Sequence, residues 1–263
     1  MKIIAAEEHF ATEEYLESMR SIAEQTYPNN EVIKEEVLVS VDIFSKEREH
    51  VKNKLLDIGE GRLRDMDAEG IDMQVLSLIS PGVQLFDTPT ATAMAKRVND
   101  KLGQVTTKYP DRFIGLASIA PQDPNMAAAE LERAILDVGL KGACINSHTK
   151  GEYLDDKKYW PIFEMAEKLD VPLYLHPRSP SPDMLTPYLR YPVLAYAMCG
   201  FGHEVALHSL RLICSGLFDT FPRLKIILGH LGESLPFWLW RLDTVWHRRP
   251  IARELKNSPR QYI

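Results

Sequence analysis

The chain has 263 residues, of which 45% are hydrophobic and 26% are charged, and its formal net charge is −6. This length suits one large domain with a substantial core. The acidic balance excludes a strongly basic nucleic-acid-binding protein, which would need a concentrated positive surface. The uncharged stretch Tyr191–His203 is too short and too interrupted by glycine and proline to span a bilayer, which needs about 20 apolar residues.

Cysteine usage and the N-terminus indicate the cellular compartment. Cys144, Cys199 and Cys214 are widely spaced, and none forms a Cys-x-x-Cys pair. This pattern favours reduced thiols over a disulfide framework. The N-terminus has no long apolar segment of the kind found in secretory signals. We therefore expect a cytoplasmic protein without nucleic-acid or membrane partners.

Short apolar runs alternate with segments of helical period along the chain. The runs predict six strands of a buried parallel sheet, beginning near residues 2, 71, 113, 141, 171 and 224. Between them, Met94, Val98 and Leu102 share one face of a predicted helix, and a weaker helical pattern covers residues 55–66. Six βα units in order predict a right-handed parallel α/β domain.

Two segments interrupt this alternation. Residues 25–46 form a long polar insertion after the first strand, and residues 178–192 form a proline-rich insertion after the fifth. Loops of this length inside a compact domain are usually functional lids or contacts between subunits.

The first predicted strand leads into a pair of side chains that can bind a metal. Glu7 and His9 are two residues apart, so in an extended strand they point to the same face, with Glu8 on the other. A carboxylate and an imidazole at the carboxyl end of a parallel strand can share a divalent cation. Taken alone, the pair is more typical of a surface glutamate and a capping histidine.

Two further histidines strengthen the metal hypothesis. His176 ends the fifth predicted strand and His230 ends the sixth. The carboxyl ends of parallel strands meet at one face, where α/β enzymes place their chemistry. His148, just after the fourth strand, is a candidate pocket residue. His203 and His208 are five residues apart and so lie on different faces of a helix, unlike the histidines of a metalloprotease motif.

The motifs resemble a known family. Ala-Glu-Glu-His-Phe-Ala after the first strand, Leu-His-Pro-Arg at the fifth and the block of residues 221–233 are similar to the amidohydrolase-2 branch of the amidohydrolase superfamily. The Glu-x-His start, in place of His-x-His, is most similar to the γ-resorcylate and 2,3-dihydroxybenzoate decarboxylases. The resemblance runs over the whole chain and includes the helix with Trp238-Leu239-Trp240-Arg241-Leu242-Asp243.

The resemblance implies a TIM (β/α)8 barrel and a set of roles. Residues 1–263 would be one barrel domain holding about six of the eight βα units, incomplete at its C-terminus. One divalent ion, Zn²⁺ or Mn²⁺, would be bound by Glu7, His9 and His176. His230 would be the catalytic histidine, with Glu233 fixing its tautomer, while Arg241 and His148 would contact substrate. The family also carries a metal-binding aspartate after its eighth strand, for which no residue of this sequence substitutes by motif.

Three functions stay open at this point. The first is a metal-dependent decarboxylase of a small hydroxylated aromatic carboxylate, acting as a homodimer or homotetramer. The second is a hydrolase of a lactone or cyclic amide that uses the same metal to activate water. The third is an inactive truncated barrel stabilised by oligomerisation through Val193–Cys199 and the tryptophans near residue 240.

Overall fold

The computed structural model describes residues 1–25, 49–248 and 255–263. Most of the predicted insertion 25–46 lies outside these described residues. The strands are β1 (Ile4–Phe10), β2 (Met73–Leu78), β3 (Phe113–Gly115), β4 (Ala117–Ser118), β5 (Ala143–Asn146), β6 (Pro172–His176) and β7 (Lys225–Leu228). The helices are α1 (Glu13–Gln25), α2 (Glu49–Leu56), α3 (Glu60–Ala68), α4 (Thr88–Lys108), α5 (Pro124–Leu136), α6 (Trp160–Leu169), α7 (Gly200–Cys214), α8 (Leu217–Thr220) and α9 (Leu235–Trp246).

Every pairing between the seven described strands is parallel, as predicted for an α/β fold. The pairing orders are β1-β2-β3 and β4-β5-β6-β7. The third predicted strand is divided at Leu116, whose N–H donates to Leu76 O of β2, whereas the N–H of Ala117 donates to Gly142 O beside β5. This segment therefore changes partner midway and joins the two sheets into one curved wall.

The curvature of that wall brings its two ends together. Among the described strands, β1 and β7 each pair with one neighbour. Even so, His230 directly after β7 places its Nε2 2.9 Å from Oε1 of Glu7 on β1. Leu116, Cys144 and Tyr174 form a small cluster separate from the main core, with Val75 packed against it. Because Tyr174 also reaches Glu7, this cluster lies beneath the converging strand ends.

The helices pack on the outside of the wall and end where local sequence dictates. The Asp123 carboxylate caps α5 by accepting from the N–H groups of Asn125 and Met126, an arrangement typical of helices that begin Asp-Pro. The single weak helix predicted over residues 55–66 is wrong, because the chain forms two helices there. The carboxylate of Asp57 accepts from Gly59 N–H at 2.9 Å and turns the chain between α2 and α3.

The predicted insertion 178–192 forms single 3₁₀ turns, at Pro182–Met184, Thr186–Tyr188 and Pro192–Ala195. Its first residues, Arg178 and Ser179, are buried against the end of β5. In the parts of the chain that the structure describes, no helix has the length and apolar character needed to cross a bilayer.

Candidate metal centre

A β-bulge in β1 presents the first two candidate ligands. The register runs Ala5 to Gln74 and then Glu8 to Leu76, so β1 has one residue more than β2 over this stretch. Such bulges re-aim side chains and are frequent next to active sites. Glu7 and His9 face the same side, with His9 Nε2 3.8 Å from Glu7 Oε1. Both side chains lie within β1, which ends at Phe10.

The other two predicted histidines meet the same carboxylate oxygen. Nε2 of His176 lies 3.2 Å from Glu7 Oε1, and Nε2 of His230 lies 2.9 Å from it. Donor atoms of Glu7, His9 and His176 all lie within 4.8 Å of one another, as required of side chains that share an ion. The structure thus brings together the four residues that the sequence singled out at the ends of three strands.

Hydrogen bonding shows that this donor set fits a cation. Nδ1 of His176 lies 2.7 Å from Pro177 O, and because a carbonyl can only accept, Nδ1 carries the proton. Nε2 of His176 therefore meets the Glu7 carboxylate either through a second proton, as a hydrogen bond, or through its lone pair. Two acceptors at 3.2 Å repel each other unless a positive charge serves both. One carboxylate and imidazole nitrogens form a ligand set that suits Zn²⁺ or Mn²⁺.

The segment after β7 is bent to hold His230 at this point. His230, Leu231 and Glu233 all have positive φ, at 48°, 59° and 52°. Non-glycine residues in this region are uncommon and cluster at functional sites. The turn brings Glu233 Oε1 to 2.6 Å from Nδ1 of His230, so the Glu233 carboxylate accepts a hydrogen bond from Nδ1–H and Nε2 is left facing Glu7.

The pKa values of the ionisable groups at this centre are strongly shifted. Burial acts to raise the pKa of Glu7, but hydrogen bonds with His176, His230 and Tyr174 outweigh it and hold that pKa far below its usual range. The hydrogen bond to Glu7, supported by Glu233, raises the pKa of His230 to about 9. Burial, together with the nearby His176, lowers the pKa of His9 to about 4. The Glu7 carboxylate therefore stays ionised, and its Oε1 attracts a proton or another cation to the point where the three imidazoles meet.

Two residues that the sequence did not single out fix His9. Ser77 Oγ lies 3.1 Å from His9 Nδ1, which orients the ring with Nε2 towards Glu7. From outside the wall, Nη2 of Arg62 donates to His9 O at 2.8 Å and also to Lys54 O. The guanidinium thereby ties the carboxyl end of β1 to the end of α2.

His148 and Arg241, predicted to contact substrate, lie in different surroundings. His148 is buried, with Nε2 3.0 Å from Ser179 O and Nδ1 accepting from Gly151 N–H at 3.1 Å. Burial, with the positive charge of Arg178 nearby, lowers the pKa of His148 to about 2. Arg241 is exposed on α9. Substrate contact by either residue stays a prediction.

A second cluster of similar composition forms between α7 and the loop that follows β5. Glu204 Oε1 accepts from Ser147 Oγ at 2.9 Å, and its Oε2 accepts from the Tyr153 hydroxyl at 3.0 Å. His208 has Nδ1 3.0 Å from Ser147 Oγ and accepts the N–H of Leu154 at its Nε2. We call Ser147, Tyr153, Glu204 and His208 the α7 cluster. Neither Glu204 nor His208 belongs to a motif with a predicted function, yet both are buried.

Comparison with known proteins places the chain in a family. A model of the amidohydrolase family (Amidohydro_2) matches residues 48–257. The γ-resorcylate decarboxylase of Polaromonas sp. strain JS666 is 41% identical over 264 residues, covering 97% of this chain and 74% of that protein. The chain belongs to the amidohydrolase family.

Solved structures agree with this assignment. The 5-carboxyvanillate decarboxylase of Novosphingobium aromaticivorans, with bound manganese and 3-methoxy-4-hydroxy-5-nitrobenzoic acid, superposes with a TM-score of 0.93 at 40% identity. The alignment covers 99% of this chain and 76% of that protein. A dihydroxybenzoic acid decarboxylase of Polaromonas sp. JS666, with bound manganese and the inhibitor 2-nitroresorcinol, superposes with a TM-score of 0.84 at 39% identity. That alignment covers 100% of this chain and 76% of the decarboxylase. These relatives have the TIM-barrel fold, as the sequence predicted.

Proposed function

We propose that this chain is a metal-dependent decarboxylase of small hydroxylated aromatic carboxylic acids. The observation that carries the proposal is the convergence of three imidazole Nε2 atoms on Oε1 of Glu7. The chain's similarity to decarboxylases of γ-resorcylate and 5-carboxyvanillate supports the substrate class.

Glu7, His9 and His176 are the side chains that would hold the ion. When bound, a divalent cation supplies a positive charge that can take up the substrate carboxylate together with an ortho hydroxyl. Relatives that bind manganese support Mn²⁺, and Zn²⁺ is the alternative that the donor set also allows.

His230 is the residue that can carry the proton of the reaction. Glu233 holds its Nδ1 proton, which stabilises the imidazolium and aims Nε2 into the site. Protonation of the ring carbon that bears the carboxylate uses a pair of ring electrons and interrupts aromaticity. The carbon–carboxylate bond then breaks, its electron pair restores the aromatic ring, and CO2 leaves. His230 is 43% exposed, so a substrate can reach it from the open side.

Release of CO2 by the full-length protein tests the proposal. Metal-free protein would be loaded with Mn²⁺ or Zn²⁺ and assayed on 2,6-dihydroxybenzoate, other hydroxybenzoates and 5-carboxyvanillate, with benzoate as the substrate that lacks a chelating hydroxyl. We expect metal-dependent CO2 release from at least one hydroxylated acid and none from benzoate. Metal-loaded protein without turnover on any of them would contradict the proposal, and hydrolysis of a lactone without CO2 release would support the hydrolase instead.

A homo-oligomer is the assembly that we propose. Phe237 on α9 is 91% exposed, Trp240 is 75% exposed and Val193 is 60% exposed, so these apolar side chains are available to a second copy. Light scattering of the full-length protein distinguishes a dimer or tetramer from a monomer. The cytoplasmic location stays a prediction and is supported by three free cysteines.

A further inference from the structure

The two oxygens of the Glu7 carboxylate have different partners. Oε1 faces the three imidazoles. Oε2 accepts a hydrogen bond from the Tyr174 hydroxyl. A carboxylate binds a cation through one oxygen or through both. What holds Oε2 therefore decides how many positions around a metal Glu7 occupies.

Tyr174 is placed for this contact by the strand that carries a ligand. It precedes His176 by two residues on β6, so both side chains point to the same face of the curved wall. The tyrosine is 6% exposed and its ring packs with Leu116 and Cys144 in the small interior cluster. Because the ring is fixed by apolar neighbours, its hydroxyl is directed upward to Glu7 with little freedom to leave.

Gly229 leaves the space in which the two side chains meet. A Cβ on this residue would lie 3.1 Å from the Tyr174 hydroxyl and 3.3 Å from Glu7 Oε2. Gly229 is not among the residues with positive φ, so its backbone conformation does not require glycine. The glycine at the end of β7 is therefore explained by sterics, because a side chain there would crowd Tyr174 and Glu7.

We propose that Tyr174 is a positioning residue that fixes Glu7 as a one-oxygen metal ligand, with Gly229 giving the pair its room. The hydrogen bond to Oε2 orients the carboxylate and leaves Oε1 for the cation. A position that a two-oxygen ligand would take then stays open, as chelation by a carboxylate and a hydroxyl requires. The open position for a chelating substrate rests on the proposed function, whereas the effect of Tyr174 on metal binding does not involve a substrate.

Mn²⁺ binding to metal-free full-length protein tests the role of Tyr174. We expect Tyr174→Phe to weaken Mn²⁺ binding by about 10-fold to 100-fold, measured by the electron paramagnetic resonance of free Mn²⁺, since loss of a ligand's hydrogen-bond partner has effects of this size. Tyr153→Phe is the matched control. Tyr153 is 7% exposed and also donates to a carboxylate, that of Glu204 at 3.0 Å, away from the metal centre. It should leave the Kd for Mn²⁺ unchanged.

Thermal unfolding of the same metal-free variants separates positioning from stability. If Tyr174→Phe lowers the Tm as Tyr153→Phe does but binds Mn²⁺ like the wild type, Tyr174 has only a structural role and the proposal is overturned. The proposal is supported if Tyr174→Phe is folded and has a larger Kd for Mn²⁺ while Tyr153→Phe keeps the wild-type Kd.

Gly229→Ala gives an independent approach to the same contact. The added methyl group should displace the Tyr174–Glu7 pair and weaken Mn²⁺ binding. In the double variant with Tyr174→Phe the two effects should be less than additive, because both act on one contact. Full additivity would overturn the role given to Gly229. If Mn²⁺ affinity changes as expected but no hydroxybenzoate loses CO2, the proposed function fails and the role of Tyr174 stands.

Discussion

The candidate metal centre and the α7 cluster are built from the same residue types, yet their hydrogen bonding differs. In the α7 cluster, each nitrogen of His208 has its own partner, Ser147 Oγ and Leu154 N–H, and both carboxylate oxygens of Glu204 accept from hydroxyls. In the metal centre, three imidazole nitrogens point at one oxygen of Glu7. A satisfied network stabilises a fold, whereas convergent donor atoms without separate partners leave a place for an ion or a substrate.

Burial distinguishes the two regions in the same way. His208 is fully buried and Glu204 is 1% exposed, so neither can meet a substrate without unfolding. The side chains of His230 and Glu7 are 43% and 21% exposed. Substitutions in the metal centre should therefore change chemistry more than stability, and those in the α7 cluster should do the opposite.

The largest effect is expected for His230→Ala. Loss of a group that transfers the proton lowers turnover by about 10²-fold to 10⁴-fold. The measurement is kcat for CO2 release at saturating Mn²⁺, in the full-length protein. His50→Ala, an exposed histidine on α2, is the control and should keep wild-type kcat. Near-normal turnover by a folded, metal-loaded His230→Ala variant would remove this residue from the mechanism.

His208→Ala tests the other side of the comparison. It leaves the Leu154 N–H without its acceptor and opens space in the interior, so the free energy of unfolding should fall by about 2–5 kcal/mol. Denaturant unfolding measures this, and kcat of the folded fraction should stay close to wild type. A variant of normal stability that has lost turnover would place the α7 cluster in the chemistry.

The pH dependence of stability sharpens the role of His208. Burial, together with Arg211, lowers its pKa to about 3, below the ordinary value of 6.5 that it regains on unfolding. The stabilisation of the fold by neutral, buried His208 is therefore fully present above pH 6.5. It is lost as the pH falls towards 3, because His208 of the unfolded chain takes up a proton before His208 of the folded chain does.

Between pH 7 and pH 5 this histidine should account for about 2 kcal/mol of lost stability. The measurement is the difference in the free energy of unfolding between the wild type and His208→Gln at both pH values. An equal loss in the two proteins would show that His208 has the same pKa in the folded and unfolded states.

The smallest effect is expected for Ser77→Ala. Removing the hydroxyl frees the ring of His9 to rotate and should weaken Mn²⁺ binding by about 10-fold. Titration of metal-free protein with Mn²⁺ measures the change. Ser18→Ala is the control, because this hydroxyl donates within its own helix, to Glu14 O. Unchanged Mn²⁺ affinity in Ser77→Ala would show that the strand alone orients His9.

Local sequence determined the candidate ligands and the strands that carry them. Alternation along β1 placed Glu7 and His9 on one face, and His176 and His230 end strands that their apolar runs predict. Tyr174 could have been found in the same way, because it lies two residues before His176 on β6. These features depend on the period of a single strand, which is readable without knowing any neighbour.

Tertiary structure decided which side chains support those ligands. Ser77 faces His9 only because the bulge in β1 shifts the register, and such a shift leaves no clear mark in the sequence. Glu204 meets Ser147 across 57 residues, so its burial follows from how α7 packs against the end of β5. The sequence by itself therefore named the groups that can bind a metal, and packing between distant segments determined their orientation, ionisation and access.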